Sequence, residues 1–132
     1  MAIQLSTTMR NNMLDQFEAT ISTAARLLIY SGAVAANCAA ADPAGLLATL
    51  VLPSDWMNAA SGGTKTLLGS WTVAASGTGT AQSFRIKDSG LTTCHCQGTC
   101  ATGSGDLSLD NASITSGQTV SVTGFTLTAA NS

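Results

Sequence analysis

The chain has 132 residues, only 9% of them charged, and five basic against seven acidic side chains give a net charge of −2. That length suits one domain of the common size, about 100–150 residues, with one core. Without clustered Lys and Arg there is no electrostatic footprint for direct nucleic-acid binding, and a surface of hydroxyls and methyls that lacks like-charge repulsion favours packing against neighbours.

The N-terminal stretch MAIQLSTTMRNNMLDQFEA contains no basic start followed by an apolar run, so no export signal is read there. The chain is expected to be made in a cytoplasm with its thiols reduced, and an object released from the cell later meets oxidising conditions. The longest mostly apolar stretch, GLLATLVLP, is too short to cross a bilayer, and no membrane partner is expected. Met9, Met13, Phe17 and Ile21 recur every four residues, with Leu14 broadening the stripe, and predict an amphipathic helix over about 6–22 capped by Ser6 or Thr7. Arg10, Asn11, Asn12, Asp15 and Glu18 fill its other faces.

A β region over about 25–128 follows. ARLLIY at 25–30 reads as a strand closed by the Ser31-Gly32 turn, and AVAANCAAADPAG as a loop anchored near Cys38 and Pro43. LLATLVL at 46–52 is the next strand, closed by Pro53. SDWMNAASGG is a short helical turn or ordered loop ending at Gly62-Gly63. Strands then follow at 70–75, 82–88, about 92–99, 106–110 and 119–128. The last changes phase at Gly124, as a β-bulge does. Seven or so short strands at this spacing predict a mainly β fold, an antiparallel β-sandwich or jelly-roll-like domain with one N-terminal amphipathic helix, in a single domain spanning 1–132.

CHCQGTC, residues 94–100, gathers three of the four cysteines and the only histidine. The spacing C-x-C-x-x-x-C is not the pair of knuckles that wraps a zinc ion. In an extended strand Cys94 and Cys96 share one face and His95 takes the other. A three-residue loop, Ser89-Gly90-Leu91, sets Ile86 opposite Cys94 and Phe84 opposite Cys96, with both thiols on the apolar face. Buried free thiols are the leading expectation. A disulfide, Cys38 with Cys94 or secondly Cys96 with Cys100, and a metal with Cys38 as distant fourth ligand are the alternatives. No metal and no cofactor are expected.

No catalytic residues are assigned. His95 beside Arg85 and Lys87 reads as a surface residue rather than part of a hydrolytic triad. GTGTA and GSGD read as hairpin turns, and Asp55 and Asp88 have no spacing suited to acid–base work. Trp56 and Trp71 read as core or interface anchors before they read as a sugar-binding platform. With Met9, Met13, Phe17 and Ile21 they are the candidate partner-interface residues.

The segments LLIYSGAVAANCAAADPAGLLATLVLPSDWM, GSWTVAASGTGTAQSFRIKDSGLTTCHCQGT and GDLSLDNASITSGQTVSVTGFTLT resemble a group of small structural proteins of tailed bacteriophages and prophages. The likeness runs from about residue 5 to the end and includes no catalytic motif. It implies a part in the virion, and the chain's size, low charge, β patterning and methionine-bearing helix make the expected part a decoration or cement protein on the head surface, binding the major capsid protein and other copies of itself, with a trimer as the expected oligomer. The alternative is a tail-associated fibre or baseplate adaptor. A host-directed carbohydrate-binding or hydrolytic module is a third class, disfavoured for want of polar site residues. In the pattern of such proteins aliphatic residues stand where Cys96 and Cys100 are, which implies apolar filling, whereas Cys38 and Cys94 match it and keep a bond between them open. TVSVTGFTLT lacks Lys, Glu and Pro, the gatekeepers of an edge strand, so this strand or the face beside it is expected to lie against another copy or the capsid surface.

Overall fold

The computed structural model describes residues 3–129. Helix α1, Thr7–Ile21, starts where the Ser6 side chain accepts a hydrogen bond from the Met9 N–H at 3.1 Å, satisfying one amide that a first helical turn leaves without a partner. It stops at Ser22, whose backbone turns to φ 71° while its N–H still donates to the Glu18 carbonyl.

Eleven strands follow among the described residues: β1 Arg26–Tyr30, β2 Leu46–Val51, β3 Thr64–Thr66, β4 Thr72–Ala74, β5 Gly79–Thr80, β6 Ser83–Lys87, β7 Cys94–Thr102, β8 Ser104–Gly105, β9 Leu107–Leu109, β10 Ser113–Ile114 and β11 Thr119–Thr128. The main sheet runs β2-β1-β6-β7-β9-β11-β3, with β4 also on β11 and β8 on β7, and β5 pairs with β10 separately. The fold is therefore mainly β with one N-terminal helix, as its patterning predicts. The sheet is mixed, however, because β7 and β9 run parallel. Past β4, the Ser76 and Gly77 N–H groups donate to the Leu47 carbonyl on β2 at 2.8 and 3.1 Å, so the sheet curls until its two ends meet. One apolar cluster fills the curl, with Leu27, Ile29, Leu50, Phe84, Ile86 and Phe125 among its members.

Two expectations about β11 separate here. The phase change near Gly124 is a bulge, between Val122 and Gly124 in the pairing with β9. The exposed-edge expectation is corrected: β4 and β3 pair along one side of β11 and β9 along the middle of the other, so the strand lies within the sheet rather than at its edge. Residues 130–132 of that segment lie outside the described residues. The strand at the sheet's end is β2, whose Leu46 and Val51 are 44% and 58% exposed.

Residues 33–45 form a strap over the outer face of the sheet. At its base the Ser31 and Gly32 N–H groups donate to the carbonyls of Gly45 and Ala44, both at 2.9 Å. Gly45 sits at φ 74°, and a Cβ there would strike the Ser31 side chain, so only glycine returns the strap into β2. The segment read as a helical turn or ordered loop is an ordered loop, joined to the strand region by a bridge between Met57 and Leu67.

Candidate functional site

The cysteine region departs from its expected pairing by two residues over most of β6, and by one at Lys87. From Ser83 to Ile86 the β6–β7 register is regular, with Phe84 opposite Gly98 and Ile86 opposite Cys96, but Lys87 pairs with Cys94. His95 is thus the extra residue of a bulge, which reverses the alternation of side chains. Cys96 turns inward and packs on the core beneath Ile86, whereas Cys94 turns outward on the face of Arg85 and Lys87. This corrects both the predicted register and the shared face of the two thiols. Cys94 bonds instead to Cys38 on the strap, with Cα atoms 5.3 Å apart. Cys96 and Cys100 remain free thiols. Burial pushes them up to about 11 and about 12, the Asp106 charge adding to the rise at Cys96. Among the described residues no three His, Cys, Asp or Glu side chains converge as metal ligands do.

Around that disulfide the strap is held by charge. Arg85 and Lys87 are buried rather than solvent-facing, at 2% and 9% exposure. The Arg85 guanidinium donates to the carbonyls of Asn37 and Ala40 and to Asp42 Oδ1 at 3.1, 3.0 and 2.9 Å. Lys87 donates to Asp42 Oδ2 at 2.8 Å. The hydrogen bond from Lys87 and the charges of both cations keep the Asp42 carboxyl below its ordinary range. Tyr30, under the same strap, is raised to about 12, by burial first and then by the Asp42 charge. The strap thus covers a polar face that a simple inside–outside alternation assigns to water.

Helix α1 docks by an unexpected face. Asp15 Oδ1 accepts from the Ala60 N–H at 2.8 Å, Asn11 Oδ1 from Gly63 at 2.9 Å, and Glu18 Oε1 from Trp56 at 3.2 Å. The side chain of Lys65, 3% exposed, reaches Asp15 and Glu18 at 2.9 and 3.2 Å and donates to the Asn58 carbonyl. Burial alone lowers the Lys65 pKa, but the bonds to Asp15 and Glu18 outweigh it and hold it above the ordinary value. Asn11, Asp15 and Glu18 therefore serve as acceptors for the loop at 56–63 instead of filling a solvent face.

The predicted apolar stripe is split in consequence. Ile21 is buried and Phe17 packs on Trp56 with ring centroids 5.8 Å apart, while Met9 and Met13 are 51% and 53% exposed. Trp56 and Trp71 meet in a tilted contact with ring centroids 5.9 Å apart, inside the core. As partner-interface residues Ile21, Trp56 and Trp71 are corrected, since their surface is spent on the chain's own interior; the two tryptophans likewise offer no sugar platform. Met13, Phe17, Ile21 and His95 line a shallow groove of about 300 Å³ between the helix and β7. The outer surface open to a neighbour includes the Met9–Met13 ridge, this groove and the exposed Leu46 and Val51 side chains of β2.

Sequence reasoning missed Arg85, Lys87 and Asp42 as a unit, and Lys65 with Asp15 and Glu18. Compared with family models, curated proteins and solved structures, the chain matches none of them.

Proposed function

We propose that this chain is a structural protein of a tailed-phage virion, a decoration or cement protein that sits on the head shell and bridges major capsid subunits. The observation that carries the reading is the orientation of α1: it fastens to its own sheet through polar acceptors and turns Met9 and Met13 outward. Exposed methionines beside a groove of mixed polar and apolar lining suit a surface that is covered by a neighbour, because the unbranched thioether adapts to irregular contacts. The sequence resemblance to phage structural proteins supplies the identity of that neighbour. Scarce surface charge and the exposed Leu46 and Val51 side chains of β2 support further contact between copies, for which a trimer matches the threefold and quasi-threefold positions of an icosahedral shell.

Competition between wild type and a Met9→Glu, Met13→Glu double variant for incorporation into particles tests this. Glutamate is a good helix former, and both sites are exposed, so the melting temperature of the isolated protein should stay within about 3 °C of wild type. Incorporation should fall about tenfold or more, the effect of burying unpaired carboxylates at a contact. Equal incorporation of the two proteins would overturn the methionine face as the docking surface.

A further inference from the structure

We propose that Cys38 and Cys94 form a thiol–disulfide exchange site for anionic low-molecular-weight thiols and their disulfides, a latch whose state sets whether the strap is locked onto the sheet. The proposal is independent of the assembly role. Both cysteines are partly exposed and line an open cleft of about 600 Å³ together with Arg85 and Lys87. Neither belongs to the core cluster, so the bond fastens the strap and leaves the interior untouched. Cys100 is buried, and Cys96, part-buried like the two latch cysteines, packs against the core and does not line this cleft.

Charge around the cleft selects the reagent. Two cations, Arg85 and Lys87, line the cleft against one carboxylate, Asp42, which bridges them; Arg26 is the register neighbour of Lys87 on β1, and Asp88 is tied into the hairpin turn by Thr92. The chain as a whole carries −2. An anionic reagent is therefore attracted locally by a molecule that repels it globally, which makes the sign of the salt effect diagnostic.

Closure runs by two exchanges. The Cys94 thiolate attacks one sulfur of a small disulfide RSSR, forming a mixed disulfide and expelling RS⁻; the Cys38 thiolate then attacks the Cys94 sulfur and expels the second RS⁻. Two protein thiols are oxidised by two electrons, one small disulfide is reduced to two thiols, and the protons from the protein thiols pass through solvent to the leaving thiolates. Opening is the reverse. With the latch open the strap keeps its bonds to Arg85 and Lys87, so it stays seated but opens more often.

Two measurements on the full chain test this. After reduction with millimolar glutathione, hydrogen exchange of amides in residues 33–45 should quicken about tenfold while β6 and β7 amides keep their protection. Closure by glutathione disulfide should slow as salt is added, about threefold from low to high ionic strength, whereas closure by neutral 2-hydroxyethyl disulfide should not. In Lys87→Gln the salt dependence should flatten, and Cys38→Ser should trap the mixed disulfide on Cys94. A glutathione disulfide rate that rises with salt would overturn the anion preference without recourse to any variant. Strap and sheet amides losing protection together on reduction, or a bond that resists reduction until the chain unfolds, would overturn the latch.

Discussion

Lys65 shows how much a single buried side chain organises. Its ammonium joins two helix carboxylates to a loop carbonyl, and Asp15 and Glu18 in turn hold loop amides. Replacing both acids, Asp15→Asn with Glu18→Gln, leaves the cation without counter-charge in a nearly closed position. The expected cost is about 2–3 kcal/mol in urea unfolding, below the usual loss for a sealed pair because Asp15 lies half in solvent. The ionisation pattern also predicts a plateau. The Asp15 carboxyl, held by the Ala60 amide and Lys65, and the Asp42 carboxyl are lowered on folding. Their contribution is present above about pH 4 and is lost as pH falls through the folded values. Cys96, Cys100, Tyr30 and Lys65 are raised, so the unfolded chain releases those protons first and stability declines as pH climbs above about 9. Melting temperature measured against pH should be flat between these limits and fall on both sides; a rise above pH 9 would contradict the assignment.

At the scale of elements, the helix was legible and its orientation was not. Ser6 and the four-residue recurrence place α1 within a residue of its limits, because capping and periodicity are local properties. Which face docks depends on what lies beneath, and here it is a loop at 56–63 with amides to satisfy, so Asn11 and Asp15 outcompete Met9 and Met13 for the inward positions. Phe17 is the apolar member that reaches the core. Phe17→Ala should cost about 2–3 kcal/mol, less than the loss of a fully buried ring, and an unchanged urea midpoint would show that the Phe17–Trp56 contact is not formed. The strands at 26–30, 46–51, 83–87 and 119–128 were legible from apolar residues and turn signals. The bulge at His95 was not, since nothing in CHC distinguishes an extra residue from regular alternation, and with it went the faces of Cys94 and Cys96. The anchoring of the 33–45 loop near Cys38 was legible, but its hold on Arg85 and Lys87 was not, because those contacts join residues more than forty apart.

For the whole molecule, closure of the curled sheet overturns the expectation for the last strand, because β11 takes partners on both sides and the end of the sheet falls to β2. A bond joining residues 56 apart also stiffens the chain as a whole; in the chain-entropy account a loop of that length contributes about 4 kcal/mol. A locked strap and a helix fastened by polar bonds leave the outward methionines on a firm support, which favours a surface preorganised for its neighbour. The proposed place of that surface is the head shell, and quantitative mass spectrometry of purified particles, with heads and tails separated, tests it most directly. The account predicts this chain in the head fraction at on the order of hundreds of copies per particle, as one copy per capsid subunit requires. Its confinement to tails at a few dozen copies or fewer, or its absence from particles, would contradict it.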